Sequence, residues 1–396
     1  MTDKQRPEFL GDYEFGENHL DNQYMLAVNY IGQGTFSTNR TGVSTYKQFG
    51  HYINFNLAEG LSALTTKRVY LRPMFEELFW LLNGHTNIQP LLDADVHIWD
   101  NWANKNGDLG PVYGEQWRNR EDTTIIYNRD PYRFEKTQFC KNNGYTLVAG
   151  FKNGSVYTRN IDQVQNALDR LRTHPDCRRI IVDAWNPAVI PTDDHPTKQA
   201  EIGKQALPAC HTLFQFGSAE TGETWTIGQL GILNIYTVDG QTYLSGVAIE
   251  ESEEFLASLT NEDLKSLIDL KYSEKEIGYK RKLSLHLHQR SADFYLGVPF
   301  NLASYGAMVA LFGAVVGMYP GQLSVSYGDL HIYENHIDAL KEQAQNISKS
   351  KQAPLLITIG VGPQQKADLK GLTKENIRVI DYKYCQLSVG KVEVAT

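Results

Sequence analysis

Cys210 and His211 sit side by side at the head of an apolar run, LPACHTLFQF (207–216). A thiol beside an imidazole can serve as a nucleophile once ionised. A cysteine at the edge of a strand is more often an inert core side chain, and taken alone this pair reads that way. A second polar cluster, QRSADFYLGVPFN (289–301), packs Arg290, Ser291, Asp293 and Asn301 into the approach to a long apolar stretch, and such polar density at a core element needs a chemical reason. Asn301 also fits the simpler role of capping the helix that follows. In GDLHIYENH (328–336), His331 and Tyr333 are two apart, so on a strand both point to one face, where they can hold a sugar hydroxyl. Glu77 lies in a segment, 74–82, that is otherwise almost wholly apolar; burial there would raise its pKa and let it move protons through water, whereas Glu76 beside it equally suits a helix surface.

These residues need elements to position them. The segment 74–82 has helical spacing and stops at Asn83-Gly84, a C-terminal cap signal. RRIIVDAW (178–185) and HTLFQF (211–216) read as buried strands, and KLSLHLHQR (282–290) alternates strictly, with Leu283, Leu285 and Leu287 on one face. The run 302–319 approaches the length of a membrane span, but it carries Ser304, Tyr305 and three glycines, which predicts a buried central helix and no membrane. Long helices mixed with strands make the class α+β or α/β, a mixed sheet packed on helices. Two segments, about 119–160 and 217–280, carry their own hairpin signals, Asn153-Gly154 and Asp239-Gly240, and read as insertions in one catalytic domain. The second contains EESEEFLASL and NEDLKSLIDL, helices with acidic first turns.

A net charge of −8 over 396 residues, with no basic run, argues against a surface that coats nucleic acid. The four cysteines are scattered, without a CxxC pair, and the start is polar, so a reducing cytoplasm is expected. His286 and His288 share a strand face, but no third ligand is suggested nearby; a structural role is expected, and no metal.

NRTG (39–42), TTKR (65–68), HIWDNWANKNGDLGPVYGEQWR (97–118), DCRRIIVDAWNP, PACH, QRSADFYLG and GDLHIYENH occur in that order. Together they resemble the signatures of the thymidylate synthase and pyrimidine nucleotide hydroxymethylase family, over about residues 35–340. The resemblance implies that Cys210 adds to carbon 6 of dUMP, making carbon 5 nucleophilic toward the one-carbon unit of 5,10-methylenetetrahydrofolate. It implies Arg290 beside the sulfur and the substrate phosphate, joined at that phosphate by Arg40 and Ser291. Arg178 and Arg179 would reach the same phosphate from the other subunit of a homodimer; exposed surface arginines are the ordinary alternative. Asn301 would read the uracil carbonyl and ring N–H, where relatives acting on cytosine carry aspartate. Glu77, Tyr113 and His211 would form a proton-relay network, with His331 and Tyr333 at the sugar. Trp99, Trp102, Asp293, Leu296, Gly297 and Phe300 would wall the folate, with Ala395 in the closing tail; the tryptophans can also be plain core aromatics.

Two fates of the methylene adduct share these residues: hydride transfer gives a methyl group, and attack by water gives hydroxymethyl. Exclusion of water decides between them. Here the tail YCQLSVGKVEVAT lacks the histidine-proline segment usual in synthases, Ala209 precedes the nucleophile where proline is the rule, and Tyr327-Gly328 replaces a double glycine. With the two insertions, the chain is most similar to the enlarged phage-type deoxyuridylate hydroxymethylases, which places it in a host cytoplasm. The retained Trp99 keeps thymidylate synthase as the alternative. A retired relative that only binds nucleotide is a third reading, against which stand the intact Cys210, Arg290 and Asn301.

Overall fold

The computed structural model describes residue 9 and residues 14–38, 42–192 and 195–389; Arg40 and Ala395 fall outside them. The architecture is mixed α+β, with a large sheet packed against long helices. The sheet that matters for the site has six strands, in the order Thr35–Ser37, Thr45–Asn56, Tyr319–Tyr333, Arg281–Asp293, His211–Glu220 and Ile181–Asp183. Arg281–Asp293 and Tyr319–Tyr333 run parallel, and the remaining neighbours are antiparallel.

One face of this sheet packs on the helix Gly297–Val316, of which sixteen of twenty residues are buried. The alternation in Arg281–Asp293 explains the contact: Leu283, Leu285 and Leu287 are fully buried on that face while His286 and His288 point the other way and are exposed. Each leucine so buried contributes roughly 1.5–3 kcal/mol. The helix stops where Gly317 adopts φ 69° as a left-handed cap, so the run read as continuous to 319 breaks there, and Tyr319 already begins the next strand. The helix is long and apolar enough to cross a membrane, but 89% of its apolar window is buried inside the protein.

The second helix of the core, Leu71–Leu82, ends at Asn83-Gly84 as its sequence predicts and packs against the central one. The strand expected over 178–185 is shorter: only Ile181–Asp183 joins the sheet, because Arg178 and Arg179 occupy the exposed turn before this edge strand. Residues 120–161 form a separate three-stranded sheet with the helix Arg133–Asn142. The strands Ile232–Val238, Gln241–Leu244 and Val247–Ala248 extend a five-stranded sheet with Leu355–Ile359 and Ile377–Ile380, and Asp239-Gly240, both at positive φ, make its tight turn. The two acidic helices form over Glu253–Ser258 and Asn261–Lys271, capped by Ser252 and Thr260.

Candidate active site

Cys210 lies directly before the strand His211–Glu220, at a place where the ladder is irregular. His288 pairs with Leu213 and Gln289 with His211, so Thr212 is the extra residue of a bulge, and its hydroxyl donates to the His288 carbonyl at 3.1 Å. Bulges re-aim side chains beside functional sites. Beyond it the Arg290 N–H donates to the Cys210 carbonyl at 2.7 Å, locking the two segments together. The Arg290 guanidinium then reaches back, donating at 3.2 Å to each of the Ala209 and Pro208 carbonyls and approaching the Cys210 sulfur to 4.0 Å. It also lies over the Trp185 ring, 5.4 Å from its centroid. The guanidinium is thereby held beside the Cys210 sulfur by two carbonyls and an aromatic face.

Gly328 is what permits this. A Cβ there would stand 2.8 Å from the Arg290 carbonyl oxygen, so only glycine lets the parallel strand Tyr319–Tyr333 approach so closely. Tyr327, at the position of the other expected glycine, is accommodated differently: its ring turns into the core, buried and in edge contact with Phe294.

Tyr113 starts the helix Tyr113–Arg118, and its hydroxyl accepts the Cys210 N–H at 2.8 Å. The His211 ring stacks on Tyr113 at 4.1 Å, and its Nδ1 bonds the Tyr305 hydroxyl at 2.7 Å. Burial pulls the His211 pKa down to about 3, so this imidazole is neutral; burial pushes the Tyr113 and Tyr305 hydroxyls far above the ordinary 10. Tyr305 was not anticipated from sequence. It lies four residues after Asn301, hence on the same helix face, which is the signal that would have found it.

Glu77 accepts the indole N–H of Trp99 at 2.8 Å. Burial raises its pKa from 4.5 to about 7, against a smaller lowering by the Trp99 hydrogen bond. Trp99 in turn packs edge-on against Trp102 and Tyr113. Leu296 and Phe300 are half-buried against the same core as the two tryptophans. Asp293 Oδ1 accepts the N–H groups of Tyr295 (3.0 Å) and Leu296 (3.1 Å), which shapes the turn that delivers Leu296, Gly297 and Phe300. Burial would raise the Asp293 pKa, but the hydrogen bond and charge of the fully buried His336, whose Nδ1 is 3.6 Å away, help hold it below the ordinary value.

Asn301 is not a cap. Leu296 occupies the cap position, and Asn301 lies a full turn inside the helix, half-buried, its amide making no hydrogen bond to another described residue. His331 and Tyr333 do share a face, their rings 5.2 Å apart, and His331 Nδ1 bonds Asp329 at 3.0 Å. Ser291 follows Arg290 in the strand and is half-buried. Arg178 and Arg179 are exposed at the outer edge of the sheet. His286 and His288 both bond the Ser326 hydroxyl, at 3.0 and 3.2 Å, on the sheet's exposed face. Among the described residues no group of three or more histidine, cysteine or acidic side chains is placed to hold a metal ion.

TTKR has a structural explanation the sequence did not disclose. Thr65 and Thr66 bond the buried Asp21 carboxylate through their N–H and hydroxyl groups. Lys67 lies over the Tyr295 ring at 3.6 Å and donates to its carbonyl, with a pKa drawn down to about 7 by burial.

The Cys210 sulfur thus lies against a guanidinium, with Tyr113 and His211 stacked beside it and Trp99 and Trp102 packed near the buried Glu77 carboxyl. The chain belongs to the thymidylate synthase family, whose profile matches residues 22–234 and 265–394. Enzymes of this family transfer a one-carbon unit from methylenetetrahydrofolate to carbon 5 of dUMP.

Glu77→Gln is expected to slow turnover by roughly 10²–10⁴-fold and to remove an inflection near pH 7 from the rate profile, where the wild-type carboxyl changes charge. The same shift has a stability consequence. The protonated carboxyl is the form the fold prefers, so its contribution is fully present below 4.5 and is lost as pH rises through about 7. Thermal melts across that window should show the wild type losing ground to the glutamine variant; parallel curves would refute the burial of this group.

Proposed function

We propose that this protein is a deoxyuridylate hydroxymethylase. Cys210 adds through sulfur to carbon 6 of dUMP, and carbon 5 then bonds to the methylene carbon supplied by the folate. Loss of the carbon 5 proton expels tetrahydrofolate and leaves an exocyclic methylene. Water adds its oxygen to that carbon, and elimination of the Cys210 thiolate releases 5-hydroxymethyl-dUMP. Tetrahydrofolate leaves at its original oxidation level, so no dihydrofolate forms.

In this reading Glu77 steers the attacking water and takes its proton, which suits a carboxyl with a pKa of about 7. Tyr113 and His211 belong to the relay that removes the carbon 5 proton. Arg290, Ser291 and Arg40 bind the phosphate, and His331 and Tyr333 meet the sugar hydroxyl. Trp99, Trp102, Asp293, Leu296, Gly297 and Phe300 hold the folate, and Ala395 belongs to the closing tail. The observation that carries the choice of product is the altered tail, without its histidine-proline segment, together with the changes at Ala209 and Tyr327 in otherwise strict motifs.

The same reading makes the enzyme a cytoplasmic homodimer, with Arg178 and Arg179 crossing to the partner's phosphate site. Support comes from the open face of the six-stranded sheet, which exposes Phe49 (80%), Tyr52 and Ile181. Next to Arg290 a concavity of about 390 Å³, lined also by Asp183, Trp185 and His288, is where a partner's arginine would enter. The segments 119–160 and 217–280 are insertions in a single catalytic domain; the family profile leaves 235–264 unmatched, within the second of them.

A specific observation favours a second reading, thymidylate synthase: Trp99 is pinned by Glu77 and wedged among aromatic rings, where it would shield the methylene from water. Mass spectrometry of the nucleotide after incubation with dUMP and methylenetetrahydrofolate decides. We expect a hydroxymethyl product with no absorbance growth from dihydrofolate; a methyl product accompanied by dihydrofolate would replace the first reading with the second.

A further inference from the structure

The sheet formed by residues 120–161 has no adequate core of its own. Within that range only Ile126, Cys140 and Gly154 are buried, and neither Ile126 nor Cys140 belongs to a hydrophobic cluster of the main body. The strand register shows why. Asp122, Arg159 and Ile126 point to the side that carries Tyr145 and the helix Arg133–Asn142. The opposite side presents the rows Ile125–Val156–Ala149 and Tyr127–Gly154–Phe151, with Tyr127 53% and Phe151 44% exposed and their rings in edge contact. An apolar sheet face of this kind, left to water, marks an interaction surface. The turns at its Tyr127–Phe151 end carry Arg129 and Lys152, both exposed.

Charge narrows the occupant. The range 120–161 holds seven Arg or Lys against four Asp or Glu, in a chain of net charge −8. Arg120, Lys136 and Arg159 are ion-paired, which leaves Arg129 and Lys152 as exposed cations at the end of the face, where two copies would bring like charges together. The same chain supplies a complement: residues 250–271 hold seven acidic side chains against two lysines, and their helices expose Phe255 (49%) and Leu270 (85%). Glu251 and Asp269 are paired within this segment, to Lys271 and Lys265, whereas Glu254, next to Phe255, and Glu262, in the first turn of the second helix, are exposed.

We propose that the open face of the 120–161 sheet docks the acidic helices Glu253–Ser258 and Asn261–Lys271 of a second copy of this chain. Aromatic and aliphatic side chains of the face cover Phe255 and Leu270, while Arg129 and Lys152 meet Glu254 and Glu262. The contact joins two different surfaces, so it propagates from copy to copy unless it closes into a ring. Opposed charges make it sensitive to ionic strength.

Sedimentation velocity of the full-length protein tests this. In low salt the particle should grow with protein concentration, and high salt should suppress the growth. Tyr127→Ser with Phe151→Ser should abolish it, as should Glu254→Lys with Phe255→Ser, and each pair should leave turnover of dUMP unchanged. Mixing the two variants supplies intact faces on one and intact helical pairs on the other, so association should return. A particle size indifferent to concentration overturns the proposal. Loss of association in the face variant alone does so too, because it would assign the face to itself. Binding of an oligothymidylate to the wild type but not to the face variant would likewise overturn it, by giving the face to nucleic acid.

Discussion

Cys210→Ala is expected to lower turnover by a factor on the order of 10⁴ or more, since the covalent step has no substitute once the sulfur is gone. Binding of dUMP should survive, because Arg290, Tyr113 and Asn301 keep their places. The measurement that isolates the sulfur is adduct formation with the 5-fluoro analogue of dUMP in the presence of methylenetetrahydrofolate, mapped by peptide mass spectrometry. The adduct should fall on Cys210 and vanish in the variant. The map matters because Cys177 is a competing thiol, with a pKa pulled down by the Arg179 N–H and by the Arg179 and Arg170 side chains. Cys140 and Cys385 are poor competitors, as burial pushes both upward. Label on Cys177, or undiminished turnover in Cys210→Ala, would remove the nucleophile assignment and the proposed mechanism with it.

Asn301→Asp is expected to invert the choice of base. An amide can donate to the carbonyl at position 4 of uracil while accepting from the ring N–H, and a carboxylate can only accept. Cytosine presents an amino group there, which suits an acceptor. A site built to hydrogen-bond one partner leaves polar groups unpaired against the other, so kcat/KM for dUMP should fall by on the order of 10² or more, with dCMP becoming the better substrate in a two-nucleotide competition read by mass spectrometry. The substitution should fold normally: Asn301 caps nothing, is only half-buried, and Asp matches its size and shape. Unchanged preference would mean that the amide does not face the base.

Some of this is legible in the sequence itself. The alternation in KLSLHLHQR required Leu283, Leu285 and Leu287 to share a buried face, because strand period admits no other arrangement. Asn83-Gly84 ended its helix, and Ser252 and Thr260 began theirs, because capping chemistry is local. Other features were not legible locally. RRIIVDAW looks like eight residues of strand, yet only an edge neighbour was available and three of them pair. The run from 302 gives no hint that Gly317 breaks it, since a left-handed cap depends on what the chain must do next.

The sequence alone established the chemistry on offer: a cysteine, an arginine, an asparagine and a carboxyl within ordered motifs whose resemblance named a family. Residue type and near-neighbour spacing suffice for that. What the tertiary structure decided is which of these groups meet. The bulge at Thr212 and the close approach at Gly328 bring Arg290 to the sulfur across 80 residues of chain. Burial, which no local pattern measures, leaves Glu77 near neutrality and His211 uncharged. Both depend on dielectric and distance, and those quantities exist only once remote segments have packed.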